Sequence, residues 1–219
     1  MNSGYTVALN DGSGGTLSTD SQIGVTTSVA PTTSTPVQFA TSATEEMKAC
    51  FTADNSDYYV DYKGSDNGLY LCVRTTYNDL YYKNNNFYSD SACSSTTGIT
   101  KFSDAVSSMT STGTIHMMGE YASSADETVT VPAGKSIKVI RHKDLKNASM
   151  FKITGGTFTV NATDTSSSIT FDGQNIETLV SNGGAFYVRN DGSINFKGAD
   201  KSGGGKTINI QNNALSSPY

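Results

Sequence analysis

The sequence is short of several residue types, and each shortage limits what the chain can be. Its 219 residues include no Trp, four Pro, three Cys and two His. Only 36% of the residues are hydrophobic and 16% are charged. A large helical core needs more apolar residues than this, whereas each coil of a thin solenoid buries only a few side chains. No run of about 20 apolar residues is present, so the sequence predicts no transmembrane segment.

The charge balance and the polar composition indicate the kind of partner. The formal net charge is −5 and the isoelectric point is about 4.9. A mildly acidic surface without a basic cluster repels phosphate backbones, so nucleic acid is not an expected partner. The abundance of Ser, Thr, Gly and Asn favours an extracellular or cell-surface location. Residues 1–10 lack the charged start and apolar core of a secretory signal, so export requires a signal already removed or a non-classical route.

The three cysteines support no metal site. Cys50, Cys72 and Cys93 are separated by 22 and 21 residues, which matches no zinc spacing. One interpretation is a single disulfide with a spare thiol, in which Cys72 and Cys93 are the preferred pair. The other is three free, partly buried thiols, and the sequence leaves both open. No cofactor is predicted.

Five segments share one pattern, in which a short alternating strand is followed by a Gly/Asn/Asp corner and another apolar position. They are residues 128–137, 150–158, 168–176, 185–194 and 207–215. Their first inward residues are separated by 22, 18, 17 and 22 positions: Val129, Phe151, Ile169, Phe186 and Ile208. Self-similarity of this kind is typical of a stacked solenoid, here with a coil of about 20 residues. We therefore expect these five side chains to form one internal column.

The corners and the strands after them fit the same interpretation. The predicted corners carry residues that tolerate positive φ: residues 132–135, 154–157, 172–175 and 189–192. Three corners are followed by a second alternating pair: Ile137 and Val139, Phe158 and Val160, Ile194 and Phe196. The alternative is an antiparallel meander with hairpins of similar length.

A short helix is predicted just before the first coil. Phe102, Ala105, Val106 and Met109 follow the i, i+3, i+4, i+7 spacing of one helical face, which predicts a helix over 100–110. Thr100 or Ser103 is the expected N-cap. Such a helix covers the open end of a solenoid, which otherwise exposes its core and a row of unpaired backbone groups.

The chain divides into three predicted regions. Residues 1–44 are a Ser/Thr/Gly-rich arm or linker, residues 45–96 a small Tyr/Asn-rich β-module, and residues 97–219 the solenoid. Tyr219 follows the fifth segment within one corner. We therefore expect the solenoid to continue in a longer protein or to bury its last coil against a partner.

Residues 101–141 resemble the entry to the right-handed parallel β-helix (pectin-lyase-like) superfamily. The resemblance is carried by residues 102–106, 113–115, 119–121 and 129–137, which read FSDAV, GTI, GEY and VTVPAGKSI. It covers residues 97–219, and the later coils look most like repetitive bacterial surface and adhesin proteins. The resemblance implies an all-β fold: a right-handed parallel β-helix with a short N-terminal capping helix, preceded here by the Tyr-rich module.

Catalytic chemistry finds little support in the residue pattern. Enzymes on this fold use clustered carboxylates, but no pair of acids repeats on neighbouring predicted strands. Asp172 and Asp191 lie in corners, and Arg141 and Arg189 are the arginines of the coils. We interpret these residues as turn formers and solvated surface. His116 lies on a predicted strand without a nucleophile motif nearby, and no catalytic or metal-binding residue is predicted.

The tyrosines provide the candidate binding residues. Eight of the 12 tyrosines fall between Tyr58 and Tyr88, among Asn and Asp residues. A phenol ring with a polar tip beside amide and carboxylate groups suits a sugar or a protein partner. The candidates are Tyr58, Tyr59, Tyr62, Tyr81 and Tyr82. The alternative is that alternate tyrosines pack inward in a small β-core.

These observations predict a non-enzymatic extracellular surface or fibre protein of the adhesin type. The solenoid is expected to be a rigid stalk or assembly module that binds a host or cell-surface glycan or protein. A homo-oligomer or a filament through the solenoid ends is a further expectation. The alternatives are a polysaccharide lyase or hydrolase of the pectin-lyase-like fold and a segment of a phage tail fibre or tailspike.

Overall fold

The structure is a computed structural model that describes residues 7–8, 22–55, 57–178, 184–202 and 205–215. It divides into two compact units, Met1–Thr75 and Thr76–Tyr219. The strands of residues 77–88, which were predicted to belong to the 45–96 module, hydrogen-bond to the solenoid. Most of the predicted N-terminal arm, residues 1–6 and 9–21, lies outside the described residues.

The first unit is a small β-structure. Its strands are β1 (Val7–Ala8), β2 (Ile23–Val25), β3 (Val37–Thr41), β4 (Phe51–Ala53), β5 (Tyr58–Lys63) and β6 (Gly68–Val73), with a 3-10 helix at Glu46–Cys50. One sheet has the order β1-β3-β6-β5, and β2 pairs with β4. The core includes Phe39, Leu69 and Leu71, each at most 3% exposed. Strands β4, β5 and β6 all lie within the predicted Tyr/Asn-rich β-module of residues 45–96.

The second unit contains the solenoid. Its strands are β7 (Tyr77–Lys83), β8 (Asn86–Tyr88), β9 (Met109–Met117), β10 (Tyr121–Ser123), β11 (Glu127–Thr130), β12 (Ser136–Arg141), β13 (Ser149–Ile153), β14 (Thr157–Ala162), β15 (Ser168–Asp172), β16 (Glu177–Thr178), β17 (Gly184–Val188), β18 (Ser193–Gly198), β19 (Ile208–Gln211) and β20 (Ala214–Leu215). One helix, α1 (Phe102–Ser108), precedes β9.

The coils stack in parallel, which confirms the predicted β-helix and excludes the antiparallel meander. The long sheet has the order β19-β15-β12-β9-β7-β8, and only its β7–β8 pair is antiparallel. Two further parallel sheets have the orders β10-β13-β17 and β11-β14-β18, and β16 pairs with β20. The coils that begin with β9, β12 and β15 therefore each contribute one strand to each of these three sheets.

The prediction that Val129, Phe151, Ile169, Phe186 and Ile208 form one internal column is wrong, because these residues lie on three different sheets. Phe151 is paired with Phe186 and Ile169 with Ile208, but these pairs lie on different sheets, and Val129 lies on the third. Successive positions of the long sheet, Ile115, Val139, Phe171 and Ile210, are 24, 32 and 39 residues apart. The 17- to 22-residue interval joined strands on different faces, because all three faces share the same alternation and the same corners.

The interior is filled with aromatic and aliphatic side chains in stacked columns. Phe151 and Phe186 stack with ring centroids 5.0 Å apart and an interplanar angle of 22°. Phe171 packs edge-on against both of them. Buried side chains of this size each contribute roughly 1.5–3 kcal/mol through burial. The predicted second pairs, such as Ile137 with Val139 and Phe158 with Val160, are buried strand residues of this core.

The predicted corners contain residues at positive φ. These residues are Gly134 (74°), Gly156 (64°), Gln174 (56°), Asn175 (51°) and Asn190 (53°). Gly156 also lies against the preceding coil, since an added Cβ would be 2.4 Å from the carbonyl carbon of Ala125. The corners therefore allow successive coils to approach closely.

Helix α1 covers the first coil, as predicted, but its N-terminus is capped differently. Lys101 is the N-cap and makes no side-chain cap hydrogen bond. Instead, the backbone N–H of Phe102 donates to the Tyr121 hydroxyl at 3.0 Å, and that of Ser103 donates to Glu127 Oε1 at 2.9 Å. At the other end, Lys135 Nζ donates to the carbonyl oxygens of Ser107, at 2.8 Å, and Met109. A carboxylate at the N-terminus and a cation at the C-terminus both complement the helix dipole.

Candidate functional site

The outward face of the long sheet carries a row of aromatic side chains. Tyr88 on β8, Tyr81 on β7 and His116 on β9 occupy directly opposite positions of three neighbouring strands. We call these three residues the aromatic row. They point outward because the alternate residues Leu80, Tyr82 and Ile115 are buried in the core. The members of the row are all partly exposed.

Two members of the row form a stacked pair that is fixed by a carboxylate. The Tyr81 and His116 rings have centroids 4.4 Å apart and an interplanar angle of 12°. Asp79, two residues before Tyr81 on β7, places Oδ1 3.0 Å from His116 Nε2. The Asp79 side chain is 51% exposed, whereas that of His116 is 20% exposed. The pair is therefore held in one orientation while the carboxylate stays accessible to solvent.

The chemistry of this group suits hydroxyl-rich ligands. Stacking covers one face of each ring, and both side chains are partly exposed. Partial burial, followed by the charge of Asp79, raises the pKa of Tyr81, so its phenol stays a hydrogen-bond donor at neutral pH. The group thus offers a hydroxyl, an imidazole and a carboxylate within one small area.

The row of equivalent positions continues toward β19. Ile140 lies opposite His116, Asp172 opposite Ile140, and Gln211 opposite Asp172. Ile140 is half-buried, and Gln211 is exposed. The face therefore changes from aromatic at β7–β9 to polar at β15–β19.

Asp172 differs from the solvated corner residue that the sequence suggested. It is only 9% exposed, and its oxygens accept hydrogen bonds from the side chains of Gln211 (2.8 Å) and Asn212 (3.0 Å) and from the Gln174 backbone (2.8 Å). Burial alone acts to raise the pKa of Asp172, but these hydrogen bonds outweigh it and the pKa lies below its usual value. Asp172 thus connects two coils through its carboxylate.

Arg141 likewise differs from its prediction as a surface residue. Its side chain is 2% exposed, and Nη1 donates to the carbonyl oxygens of Leu145 (2.7 Å) and Ala148 (2.8 Å). Nη2 donates to the Gly184 carbonyl in the next coil. Burial lowers the pKa of this guanidinium. Its contacts identify Arg141 as a connector of coil backbones.

The five predicted binding tyrosines are distributed over both units. Tyr58, Tyr59 and Tyr62 share strand β5 in the first unit, where Tyr58 and Tyr62 pack against the core. Tyr59 points outward and is 38% exposed, with the guanidinium of Arg74 5.8 Å from its ring centroid. Alternate tyrosines therefore pack inward, as the alternative interpretation of the sequence stated.

In the second unit, Tyr81 and Tyr82 share strand β7, and only Tyr81 faces outward. Tyr82 is 2% exposed, and burial raises its pKa to about 12. Its ring packs against Phe87 and Tyr121 in the core. A ligand on the outer face of the sheet therefore has access to Tyr81 and not to Tyr82.

The cysteines are all free thiols in the structure. Cys72 lies in the first unit and Cys93 in the second, so the predicted Cys72–Cys93 disulfide stays a prediction. Cys50 and Cys72 are buried, and Cys93 is half-buried with its Sγ 3.6 Å from Met118 Sδ. Burial raises the pKa of both Cys72 and Cys93. These thiols are thus protonated at neutral pH.

Metal-ligand clusters and membrane-spanning helices are both absent from the described part of the chain. Among those residues, no group of three or more His, Cys, Asp or Glu side chains lies close enough to hold a metal ion. The same residues include no helix with the length and apolarity needed to cross a bilayer.

Three residues of the site, Asp79, Tyr88 and His116, were not identified as site residues from the sequence. Tyr88 and His116 join Tyr81 only because β8 and β9 flank β7, and β9 lies 32 residues further along the chain than β7. The available signal was the alternation of His116 with Ile115 and Met117, which places His116 outward. Its strand neighbours were not predictable, because the 77–88 segment appeared to belong to a separate module.

No family model, no curated protein and no solved structure matches this chain.

Proposed function

We propose that this chain is a non-enzymatic extracellular surface or fibre protein of the adhesin type. In this proposal the solenoid is a stiff support, and the aromatic row with Asp79 binds a glycan. The proposal includes a relationship of the fold to the pectin-lyase-like superfamily, which rests on the resemblance of residues 101–141.

The observation that carries the proposal is the Tyr81–His116–Asp79 group. These side chains are held on two neighbouring strands by ring stacking at 4.4 Å and by a 3.0 Å contact between Asp79 and His116. Sites on strands of a packed scaffold keep their geometry better than sites on loops, so less order is lost on binding. A tyrosine hydroxyl, an imidazole and a carboxylate together match the alternating donors and acceptors of a sugar.

A glycan array followed by titration calorimetry tests this function. We expect Tyr81→Ala and Asp79→Asn each to weaken glycan binding by at least about tenfold, which corresponds to about 1.4 kcal/mol. Thr170→Ala, on the outer face of the same sheet, is the matched control and should bind normally. Tyr59→Ala, in the first unit, shows whether that tyrosine contributes to glycan binding independently of the proposed site.

The result also separates the competing functions. Absence of glycan binding, or binding that Tyr81→Ala leaves unchanged, contradicts the proposed site. Shortening of an acidic polysaccharide during the titration would instead favour the polysaccharide lyase or hydrolase. A three-fold assembly in solution would favour the phage tail-fibre alternative.

A further inference from the structure

The aromatic row is the start of a longer line of side chains on the outer face of the long sheet. Ile140 lies opposite His116, Asp172 opposite Ile140, and Gln211 opposite Asp172. These positions face outward, because the residues that alternate with them, such as Val139, are buried in the core. We call the following five residues the axial track: Tyr81, His116, Ile140, Asp172 and Gln211. The track crosses the five neighbouring strands β7, β9, β12, β15 and β19.

The axial track is longer than a single sugar. Four strand spacings separate Tyr81 from Gln211, and neighbouring strands are about 4.8 Å apart, so the track extends over about 19 Å. A sugar ring that contacts Tyr81 and Asp79 covers only its first part. A ligand that contacts the whole track therefore has to be a chain of linked sugars that runs from strand to strand.

The far end of the track carries a second fixed polar group. The Asp172 carboxylate accepts hydrogen bonds from the side-chain amides of Gln211, at 2.8 Å, and Asn212, at 3.0 Å. These bonds use the amide N–H groups and hold both side chains in place. Gln211 and Asn212 are exposed, so their amide oxygens are able to accept hydrogen bonds from sugar hydroxyls.

An apolar side chain separates the two polar ends of the track. Ile140 is half-buried and lies one strand from His116 and one strand from Asp172. Sugar rings carry hydroxyls at their edges and C–H groups on their faces. A ring that packs its face over Ile140 buries apolar surface and keeps its hydroxyls in water. A chain can therefore cross the middle of the track without losing hydrogen bonds.

The charges along the track disfavour an acidic chain. Asp172 is a member of the track, and Asp79 contacts the track residue His116. A uronate or sulfate group is best bound by a lysine or arginine, and none of the five track residues is one. Lys83 and Lys138 flank the track, each two residues along its strand from a track position. The track itself therefore favours hydroxyl groups over anionic ones.

We infer that the axial track binds a linear, uncharged polysaccharide that lies along the stacking direction of the coils. The inference rests on the proposed glycan site at Tyr81 and names the substrate class of that site. The contacts at the two ends of the track belong to one ligand chain, so the second contact forms at a high effective concentration. Affinity therefore depends on the number of linked sugars.

Titration calorimetry of the full chain with oligosaccharides of two lengths tests this inference. The probes are the disaccharides and hexasaccharides of linear glucose, mannose and N-acetylglucosamine polymers, and the acidic comparison is oligogalacturonate of the same lengths. For at least one neutral polymer, the hexasaccharide should bind at least about tenfold more tightly than the disaccharide. Oligogalacturonate should bind more weakly than that hexasaccharide.

Variants at the two ends of the track should respond differently to ligand length. Gln211→Ala should weaken binding of the hexasaccharide by at least about fivefold and leave binding of the disaccharide unchanged, whereas Tyr81→Ala should weaken both. Thr170→Ala, on β15 two residues from Asp172, is the matched control and should bind both normally.

Nuclear magnetic resonance of the wild type provides a measurement that does not depend on the folding of a variant. The side-chain amide signals of Gln211 should shift on addition of the hexasaccharide and stay constant with the disaccharide.

The outcomes separate this inference from the proposed function. Equal affinity for the two lengths, tighter binding of oligogalacturonate, unshifted Gln211 signals, or hexasaccharide binding unchanged in Gln211→Ala would each overturn the axial track and leave the glycan site at Tyr81 intact. Absence of binding to every glycan, or binding that Tyr81→Ala leaves unchanged, would overturn the proposed site and this inference with it.

Discussion

The hydroxyl of Tyr121 lies 3.0 Å from the backbone nitrogen of Phe102 and accepts its N–H. The same hydroxyl donates to Glu127 Oε2 at 2.6 Å. Phe102 is the first residue of α1, so one phenol joins the capping helix to two strands of the first coil. Burial, and then the hydrogen bond to Glu127, raises the pKa of Tyr121, which keeps the phenol protonated at neutral pH.

Removing that hydroxyl is expected to loosen the cap. Tyr121→Phe leaves the Phe102 N–H and one Glu127 oxygen without this partner inside the protein, a loss of about 1–3 kcal/mol. Urea unfolding followed by tyrosine fluorescence measures it. Tyr70→Phe, which removes a tyrosine–carboxylate bond to Asp66 at the surface, is the control. Equal losses in the two variants would contradict the capping role of Tyr121.

Arg141 is expected to be essential for stability, and its hydrogen bonds to described residues go to backbone carbonyl oxygens. Arg141→Met preserves much of the apolar volume but leaves the carbonyl oxygens of Leu145, Ala148 and Gly184 without their donor. The bond to Leu145 is buried and the other two are part-buried, and a buried acceptor left without its donor costs about 1–3 kcal/mol. The midpoint of thermal unfolding should therefore fall far more for Arg141→Met than for Arg189→Met at the surface. Similar midpoints would show that the Arg141 hydrogen bonds contribute little.

Alanine substitutions at two corner glycines distinguish the stability cost of a left-handed backbone from the cost of a clash between coils. Gly134 and Gly156 both have positive φ, but an added Cβ meets no atom within 4 Å at Gly134. Gly134→Ala should cost about 1–2 kcal/mol, the penalty of the left-handed conformation. Gly156→Ala should cost clearly more, because its Cβ overlaps the backbone of Ala125 and Asp126. If chemical denaturation gave the same loss for both, the close stacking of these coils would be refuted.

Acid should weaken the contact between the coils that Asp172 connects. The folded pKa of Asp172 lies below its unfolded value, so its stabilisation is complete above the unfolded pKa of about 3.9 and is lost as pH falls through the lower folded pKa. The difference in unfolding free energy between wild type and Asp172→Asn should shrink on acidification. Asp191→Asn, at an exposed corner, is the control. A difference independent of pH would contradict this role of the Asp172 carboxylate.

The sequence predicted the parallel solenoid and its capping helix because both depend on local patterns. Alternation at Phe158 and Val160 and positive-φ residues at the corners are visible without knowledge of the partner strands. The register was not predictable, since strands on all three faces carry the same pattern. Phe151 and Ile169 therefore looked equivalent although they belong to different sheets.

The candidate site was predictable only in part, for a related reason. Alternation indicates that Tyr81 and Tyr82 face opposite sides of β7, but it does not indicate which side is the core. His116 and Tyr88 became neighbours of Tyr81 through strand pairing across 35 and 7 residues. Arg141 looked like a surface residue because its partners are backbone carbonyl oxygens, which composition does not reveal. Asp172 looked like one because two of its partners, Gln211 and Asn212, lie about 40 residues further along the chain.

Disulfide trapping tests the stacking of the coils most directly. Lys138 and Thr170 lie on the outer face of the long sheet at directly opposite positions of β12 and β15. Neighbouring strands are about 4.8 Å apart, within disulfide reach. In a background with Cys50, Cys72 and Cys93 replaced by Ala, Lys138→Cys with Thr170→Cys should cross-link on oxidation. Lys138→Cys with Lys152→Cys, the pair that an antiparallel hairpin of β12 and β13 would join, should not. Cross-linking of the second pair and not the first would contradict the parallel solenoid.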